Sequence, residues 1–412
     1  MKIKVIISCI ASAIIISYAQ KAYAKDSLLN LYNSFVEGLP AVQSYSLKAQ
    51  ALSFDNEGLS RSRFFNPTLT TVYSNYQSPD LKPFSIADLT ISNNIDIFNK
   101  LGIDIKKNSL ESDKHKTLKK IAKRTVFTVV LDSYASLTEN KYLLKINEKT
   151  LEDLNKHIKI IERCAAEGTF PDTDLISWNI VRLNLVNEIE NYKLEIFKAE
   201  ETLKLHSKLN EITTDEIDVK KLTTKEYPGI SEEDFIKNTP ELESFNIDKK
   251  QLELDIKKIN MRPLPNLQVS NTLEYNNDPT SFGNRNIAVA AMNFVLPNGT
   301  AKPQIKALNN KIKGIDQDKE AQIMSLKNIF RAKMKEMEYQ KRMLKNLDEA
   351  KCLSTKNVER LKVNYQKKLV GYIVLVTAIK ENELIQENYI TTLANLNQNY
   401  QYLYHLSKGD IY

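Results

Sequence analysis

The sequence predicts a mainly helical chain of two long antiparallel helical hairpins, each preceded by a pair of short β-strands. Three observations predict it. Residues 103–167, 172–227, 315–370 and 372–408 contain neither Gly nor Pro, the two residues that most disfavour a helix interior. Val130, Leu137, Leu144, Leu151 and Ile158 recur at seven-residue steps, which is one stripe of a coiled-coil-like helix. Elsewhere the period changes from seven to two, as in strands with one apolar face.

The elements follow in order. A helix over about 103–167 would be on the order of 100 Å long at 1.5 Å per residue, far beyond what a compact core uses. It breaks at Gly168-Thr169-Phe170-Pro171, and its counterpart in the second half breaks at Lys368-Leu369-Val370-Gly371. Each break joins two long helices, so each is the tip of a hairpin. Before the first hairpin, Leu89, Ile91, Ile95 and Ile97 alternate with Asp88, Thr90, Ser92, Asn94 and Asp96; before the second, Leu267, Val269, Leu273 and Tyr275 alternate with Gln268, Ser270, Thr272 and Glu274. Their expected partners are residues 67–77 and 286–296, with Pro79 and Pro83 in one intervening loop and Asn276-Asn277-Asp278-Pro279 in the other.

Both halves therefore run helix, strand, loop, strand, long helix, tip, long helix. Pro40 matches Pro240, Pro67 matches Pro265, Gly168 matches Lys368 and Pro171 matches Gly371, an offset near 200 residues. This order reads as an internal duplication. The expected boundaries are residues 25–208 for the first repeat, 209–230 for a partly ordered connector and 231–412 for the second repeat.

Residues 1–24 read as a cleavable secretory signal: Lys2 and Lys4 lead an apolar run from Val5 to Ile16, and Ala22-Tyr23-Ala24 precedes Lys25 as a small-x-small site. Removing them takes three lysines and no acid, so a net charge of +7 becomes about +4, too mild to point to nucleic acid. Four His without metal-ligand spacing, no P-loop and no nucleophile–base set leave enzyme, metal-site and cofactor readings unsupported. Cys164 and Cys352 stand at unequal distances from their tips, roughly 18 Å apart along the helices, too far for a disulfide.

Strands with one apolar and one polar face must hide their edges, and four strands close no barrel of useful bore. Several copies must combine. At this point the sequence resembles the TolC-type outer-membrane efflux protein family over about residues 27–409. The resemblance is carried by the paired Pro-x-Leu/Val helix starts, the paired Pro-x-Leu strand starts, Leu296-Pro297-Asn298-Gly299, and two tips. Gly168, Pro171 and Asp174-Leu175-Ile176 fit the family's tip pattern; the second tip keeps Tyr365 and Ala378, but Lys368 replaces the Gly and Val374 the usual Asp.

The resemblance implies a homotrimer whose twelve strands form one barrel in outer-membrane lipid, with a helical tunnel in the periplasm. It implies an exit duct served by a periplasmic adaptor (membrane fusion protein) and an inner-membrane pump of ABC or RND type, in efflux or type I secretion. The alternative, from another class, is an exported coiled-coil tether or adaptor without a pore.

The resemblance also implies roles at the tips. Asp174 and Tyr365 stand where the family bonds a carboxylate of one tip to a group of the other hairpin, a charge-assisted latch on the entrance. Asp174 is equally readable as a helix N-terminal acid, and Tyr365 as interhelical packing. Lys367, Lys368, Val374 and Thr377 would line the entrance constriction, where the lysines also suit a solvated turn. Gly168, Phe170, Pro171, Leu369, Val370 and Gly371 would face the adaptor; turn chemistry explains the glycines and Pro171, but not the apolar residues. Phe64, Phe65, Tyr73, Tyr76, Phe84, Phe98, Phe282 and Phe294 are candidates for aromatic girdles or for ordinary strand composition.

Overall fold

The computed structural model describes residues 27–78, 81–168, 171–205, 207, 209, 211–224, 227–276, 283–294, 296 and 299–412; the expected signal segment lies outside them. In chain order the elements are α1 (Ser27–Glu37), α2 (Pro40–Ser62), β1 (Pro67–Ser78), β2 (Leu81–Ile95), α3 (Lys100–Ala166), α4 (Asp172–Lys204), α5 (Val219–Thr223), α6 (Glu232–Lys237), α7 (Pro240–Asn260), β3 (Asn266–Asn276), β4 (Arg285–Asn293), α8 (Ala301–Gln366) and α9 (Tyr372–Lys408). The chain forms two compact units, each drawing on both halves of the sequence.

One unit comprises Gln43–Ile121 and Pro240–Met324. Its sheet is an antiparallel meander in the order β1-β2-β3-β4. One transverse row reads Val72, Asp88, Glu274, Arg285, so these side chains share a face. Across β2 and β3 that face is mainly polar, with the exposed Val72, Ile287 and Val289 on the outer strands: Thr68 Oγ1 and Ser92 Oγ lie 2.6 Å apart, Thr90 Oγ1 and Thr272 Oγ1 2.9 Å, and Arg285 pairs with Glu274 at 2.7 Å. The opposite face carries Leu69, Tyr73, Leu89, Ile91, Val269, Leu273, Tyr275 and Met292, all exposed. Along β3 Gln268, Ser270, Thr272 and Glu274 are half-buried while Val269, Leu273 and Tyr275 are exposed, the reverse of a sheet in water. Tyr76 and Phe84 stack with ring centroids 4.9 Å apart on the polar face, so these two are not on the apolar girdle face.

Three strand limits differ from the sequence expectation. β2 begins at Leu81 and contains Pro83, which the sequence places in a loop. Pairing with β3 begins only at Ile86, and the β1 register shifts between Tyr76 and Ser78, so the missing Pro83 N–H breaks no ladder to β3. Ile97 falls outside β2, because Asp96 is recruited to start α3: the Lys100 and Leu101 N–H groups donate to its carboxylate at 2.8 and 2.7 Å. β4 likewise ends at Asn293, short of residue 296. The helices of this unit carry a ladder of ion pairs between α3 and α7: Lys107–Asp255, Lys114–Asp248 and Lys120–Glu243, at 2.6, 2.7 and 3.0 Å. At this exposure each pair contributes only about 0–1 kcal/mol, and the ladder chiefly sets register.

The other unit comprises Met1–Val42, Ala122–Thr239 and Ser325–Tyr412. The seven-residue stripe of α3 supplies its core, with Val130, Leu137 and Ile158 buried. Tyr32 of α1 donates to the Ile411 carbonyl at 2.7 Å and meets Phe127 edge-on, which ties the chain's end to its first helix. The described part of 209–230 is clamped to α3: the Tyr134 hydroxyl donates to Asp215 and accepts from the Asp215 N–H, and Leu222 and Ile212 are buried. The two hairpins, α3–α4 and α8–α9, pack together toward their tips around Leu154, Ile158, Ile161, Trp178, Leu185, Ile189, Val358, Tyr365, Leu375, Ala378 and Ile379.

Candidate functional site

The two tips use the same backbone solution. Gly168 follows α3 with φ +71°, and Lys368 follows α8 with φ +58°. The Leu369 N–H reaches back to the Asn364 carbonyl at 2.8 Å, closing a Schellman-type turn with Lys368 in the left-handed position. Lys368 thus stands where the first tip has its glycine, and a Cβ there costs about 1 kcal/mol. Lys368→Gly is expected to slow amide exchange across residues 368–370 about fivefold; hydrogen exchange measured by mass spectrometry checks this.

Just inside the tips, each of the four helices contributes one ring to a buried cluster. Trp178 (α4) is 0 % exposed, Tyr365 (α8) 2 % and His157 (α3) 4 %. His157 meets Trp178 at 5.0 Å and 78°, and Tyr365 at 5.9 Å; Tyr372 (α9) meets Trp178 edge-on at 5.1 Å. The Tyr365 hydroxyl donates to Asp174 Oδ2 at 2.8 Å and accepts from Trp178 Nε1 at 3.4 Å. Asp174 also sits in the first turn of α4, where the helix dipole favours its charge. Burial pushes the Tyr365 hydroxyl up to about 12; the Trp178 N–H works against that and Asp174 with it, so the hydroxyl keeps its proton and stays a donor. Burial, with Lys362 adding to it, lowers His157 to about 4, so its ring is neutral at pH 7.

The other tip residues lie outward. Lys367, Lys368, Val374 and Thr377 are exposed, and the Thr377 hydroxyl donates to the Ile373 carbonyl at 2.8 Å. Gly168, Pro171, Leu369 and Gly371 are exposed, Val370 is half-buried against the tip core, and Phe170 lies outside the described residues. Ile373, which the sequence reading passed over, is 76 % exposed beside them. The sequence reading also missed His157. Its signal was its place between Leu154 and Ile161 at three- and four-residue steps, on the stripe that faces the core.

A second unpartnered feature runs up α4. Ile176, Ile180, Leu183, Leu194 and Phe197 are all exposed, and they follow a strict four–three spacing with Asn187 and Glu190 at the intervening positions. Tyr339, Met343 and Leu353 form a similar exposed line on α8. Two apolar seams on one chain, neither covered by that chain, are what a coiled-coil helix presents to a neighbour. Among the described residues no helix is long and apolar enough to cross a membrane, and no cluster of three metal-ligating side chains is present. Cys164 and Cys352 are not joined by a disulfide, as their unequal positions imply.

No protein-family model and no curated protein matches the chain. Solved structures do. The outer-membrane protein VceC of Vibrio cholerae is similar over 93 % of this chain and 96 % of its own, with 11 % identity and a TM-score of 0.72. CusC, described in terms of transmembrane channel formation, is similar over 92 % of both chains at 14 % identity and a TM-score of 0.75. The outer-membrane channel CmeC of Campylobacter jejuni is similar over 95 % of this chain and 86 % of its own, at 11 % identity and a TM-score of 0.69. The chain has the fold of these outer-membrane channels along nearly its whole length.

Proposed function

We propose that this chain is one subunit of a homotrimeric outer-membrane exit duct of the TolC type. Three four-stranded sheets close into one twelve-stranded barrel, with the exposed apolar face toward lipid and the polar face toward the lumen. The observation that carries this reading is the inverted sheet, in a chain whose fold is that of outer-membrane channels. Strands of 9 to 15 residues are long enough to cross the hydrocarbon layer when tilted. A soluble tether would leave Tyr73, Tyr275 and Leu273 in water without purpose. The α4 stripe of one copy meets the α8 stripe of the next, a head-to-tail contact that closes after three copies.

In this reading the duct is passive. Asp174 and Tyr365 hold the tips together at the periplasmic entrance, Lys367, Lys368, Val374 and Thr377 border the opening, and the exposed tip residues Leu369 and Ile373 meet an adaptor that links to an inner-membrane pump of ABC or RND type. The test is fractionation of cells expressing the full chain, followed by electrophoresis of unheated and heated membrane extracts. The expected result is an outer-membrane species that runs as a trimer unheated and as a 47.2 kDa chain less its signal after boiling. A protein recovered in the soluble periplasmic fraction would refute it.

A further inference from the structure

We propose that the aromatic cluster at the tips is an acid-released latch: a proton on His157 parts the Trp178–Tyr365–Asp174 contact that ties together the two hairpins of one chain. Its consequence for conduction rests on the exit-duct reading, whereas its local chemistry does not.

The geometry supplies the reason. His157 Nε2 is sealed from solvent and has no hydrogen-bond partner. A neutral imidazole tolerates this, because one of its ring nitrogens carries no hydrogen. An imidazolium does not, since both nitrogens must donate and a buried N–H without an acceptor is costly. The rings of Trp178 and Tyr365 lie against His157 and offer it no anion.

None of the charged groups around it bonds His157 Nε2. Beside His157 lies a cavity of about 440 Å³. Its own helix presents Lys149 and Asp153 there, α8 presents Lys351, Glu359 and Lys362, and α9 presents Glu383. On α4, Asp174 is engaged by Tyr365, and Tyr372 of α9 stacks edge-on against Trp178. Lys362 repels a charge on His157. Burial, reinforced by Glu188 and Glu387, raises the Glu383 carboxyl to about 7, so acid neutralises it before it can pair. The cavity offers a charged ring an open way out from between Trp178 and Tyr365.

The sign follows. His157 takes its proton near 4 in the closed cluster and near 6.5 in water, so closure is fully favoured above 6.5 and is lost as pH falls toward 4. Between pH 7 and pH 5 the open state gains about 20-fold over the closed one.

Trp178 is the only tryptophan in the chain, so selectively excited tryptophan fluorescence reads this cluster alone. The experiment records Trp178 emission of the full-length, detergent-extracted protein from pH 7.5 to 4.5, beside bilayer conductance at pH 7 and pH 5. The expected result is a red shift with its midpoint between 4.5 and 6.5, absent in His157→Phe (or in His157→Gln, should the Phe variant not fold) and retained in Glu383→Gln. Conductance should rise with the same midpoint in the wild type only where the fluorescence changes. Emission that stays constant to pH 4.5, or a transition unchanged in the His157 variants, overturns the latch. A transition that depends on His157 in a protein that never conducts supports the latch and overturns the exit-duct reading.

Discussion

Leu183→Asp is expected to abolish the proposed trimer and to leave the single chain folded. Leu183 is 52 % exposed on the isolated chain and lies at the centre of the α4 stripe, between Ile180 and the polar positions Asn187 and Glu190. Its removal therefore takes little from the chain's own core, which uses the other face of α4: Trp178, Leu185 and Ile189. In a ring the leucine is covered by a neighbour, and covering it contributes about 2 kcal/mol. An aspartate there also brings an unpaired carboxylate into the seam, at a further cost of several kcal/mol. The substitution enters all three seams at once. The checks are the unheated trimer band, expected to vanish, and the far-ultraviolet circular dichroism of the detergent-extracted chain, expected to keep its helical signal. Leu183→Ala, which only removes contact, should weaken the band without eliminating it.

Trp178→Ala opens the tips. The side chain is fully buried, packs edge-on against His157 and Tyr372, and donates to the Tyr365 hydroxyl. A large-to-small change of an enclosed aromatic costs about 3–5 kcal/mol. It falls almost wholly on one end of the helical bundle, because the surrounding core residues Leu185, Ile189 and Ile379 belong to the same four helices. The expected readout is local. Limited proteolysis should cut first at residues 160–180 and 360–375, while the β-strands, α1 and α6 stay protected. Tyr365→Phe is the milder companion: it removes one bond to a carboxylate, worth about 1.5–3 kcal/mol, and keeps the ring.

Much of this architecture was legible because it is periodic. The stretch 372–408 is α9 to the residue and 103–167 is nearly α3, whereas α4 ends at Lys204, well before Pro228, and α8 begins at Ala301 and runs through Pro303 in its first turn and Gly314. The match of Lys368 with Gly168 held down to the left-handed backbone they share. Asp174 and Tyr365 were paired on the strength of a resemblance and lie 2.8 Å apart, within one chain. What escaped the sequence reading was decided by contacts far apart along the chain. His157 meets Tyr365 across more than two hundred residues, and its type gives no sign of whether it is solvated or enclosed. Helix α4 is apolar along two lines, so spacing alone could not tell which line faces its own chain and which is left for a neighbour. Pro83 reads as a loop residue until the staggered reach of β3 shows that this part of β2 has only one neighbour.

The central claim is that the chain forms a channel held closed at its tips, and single-channel recording in a planar bilayer tests it most directly. Purified trimer of the wild type should give a small, steady conductance at pH 7, and Asp174→Ala and Tyr365→Phe should each give a larger one from the same number of insertions. A conductance identical in all three proteins would contradict the latch at Asp174 and Tyr365. Correctly folded trimer that inserts no conductance at all would contradict the channel itself.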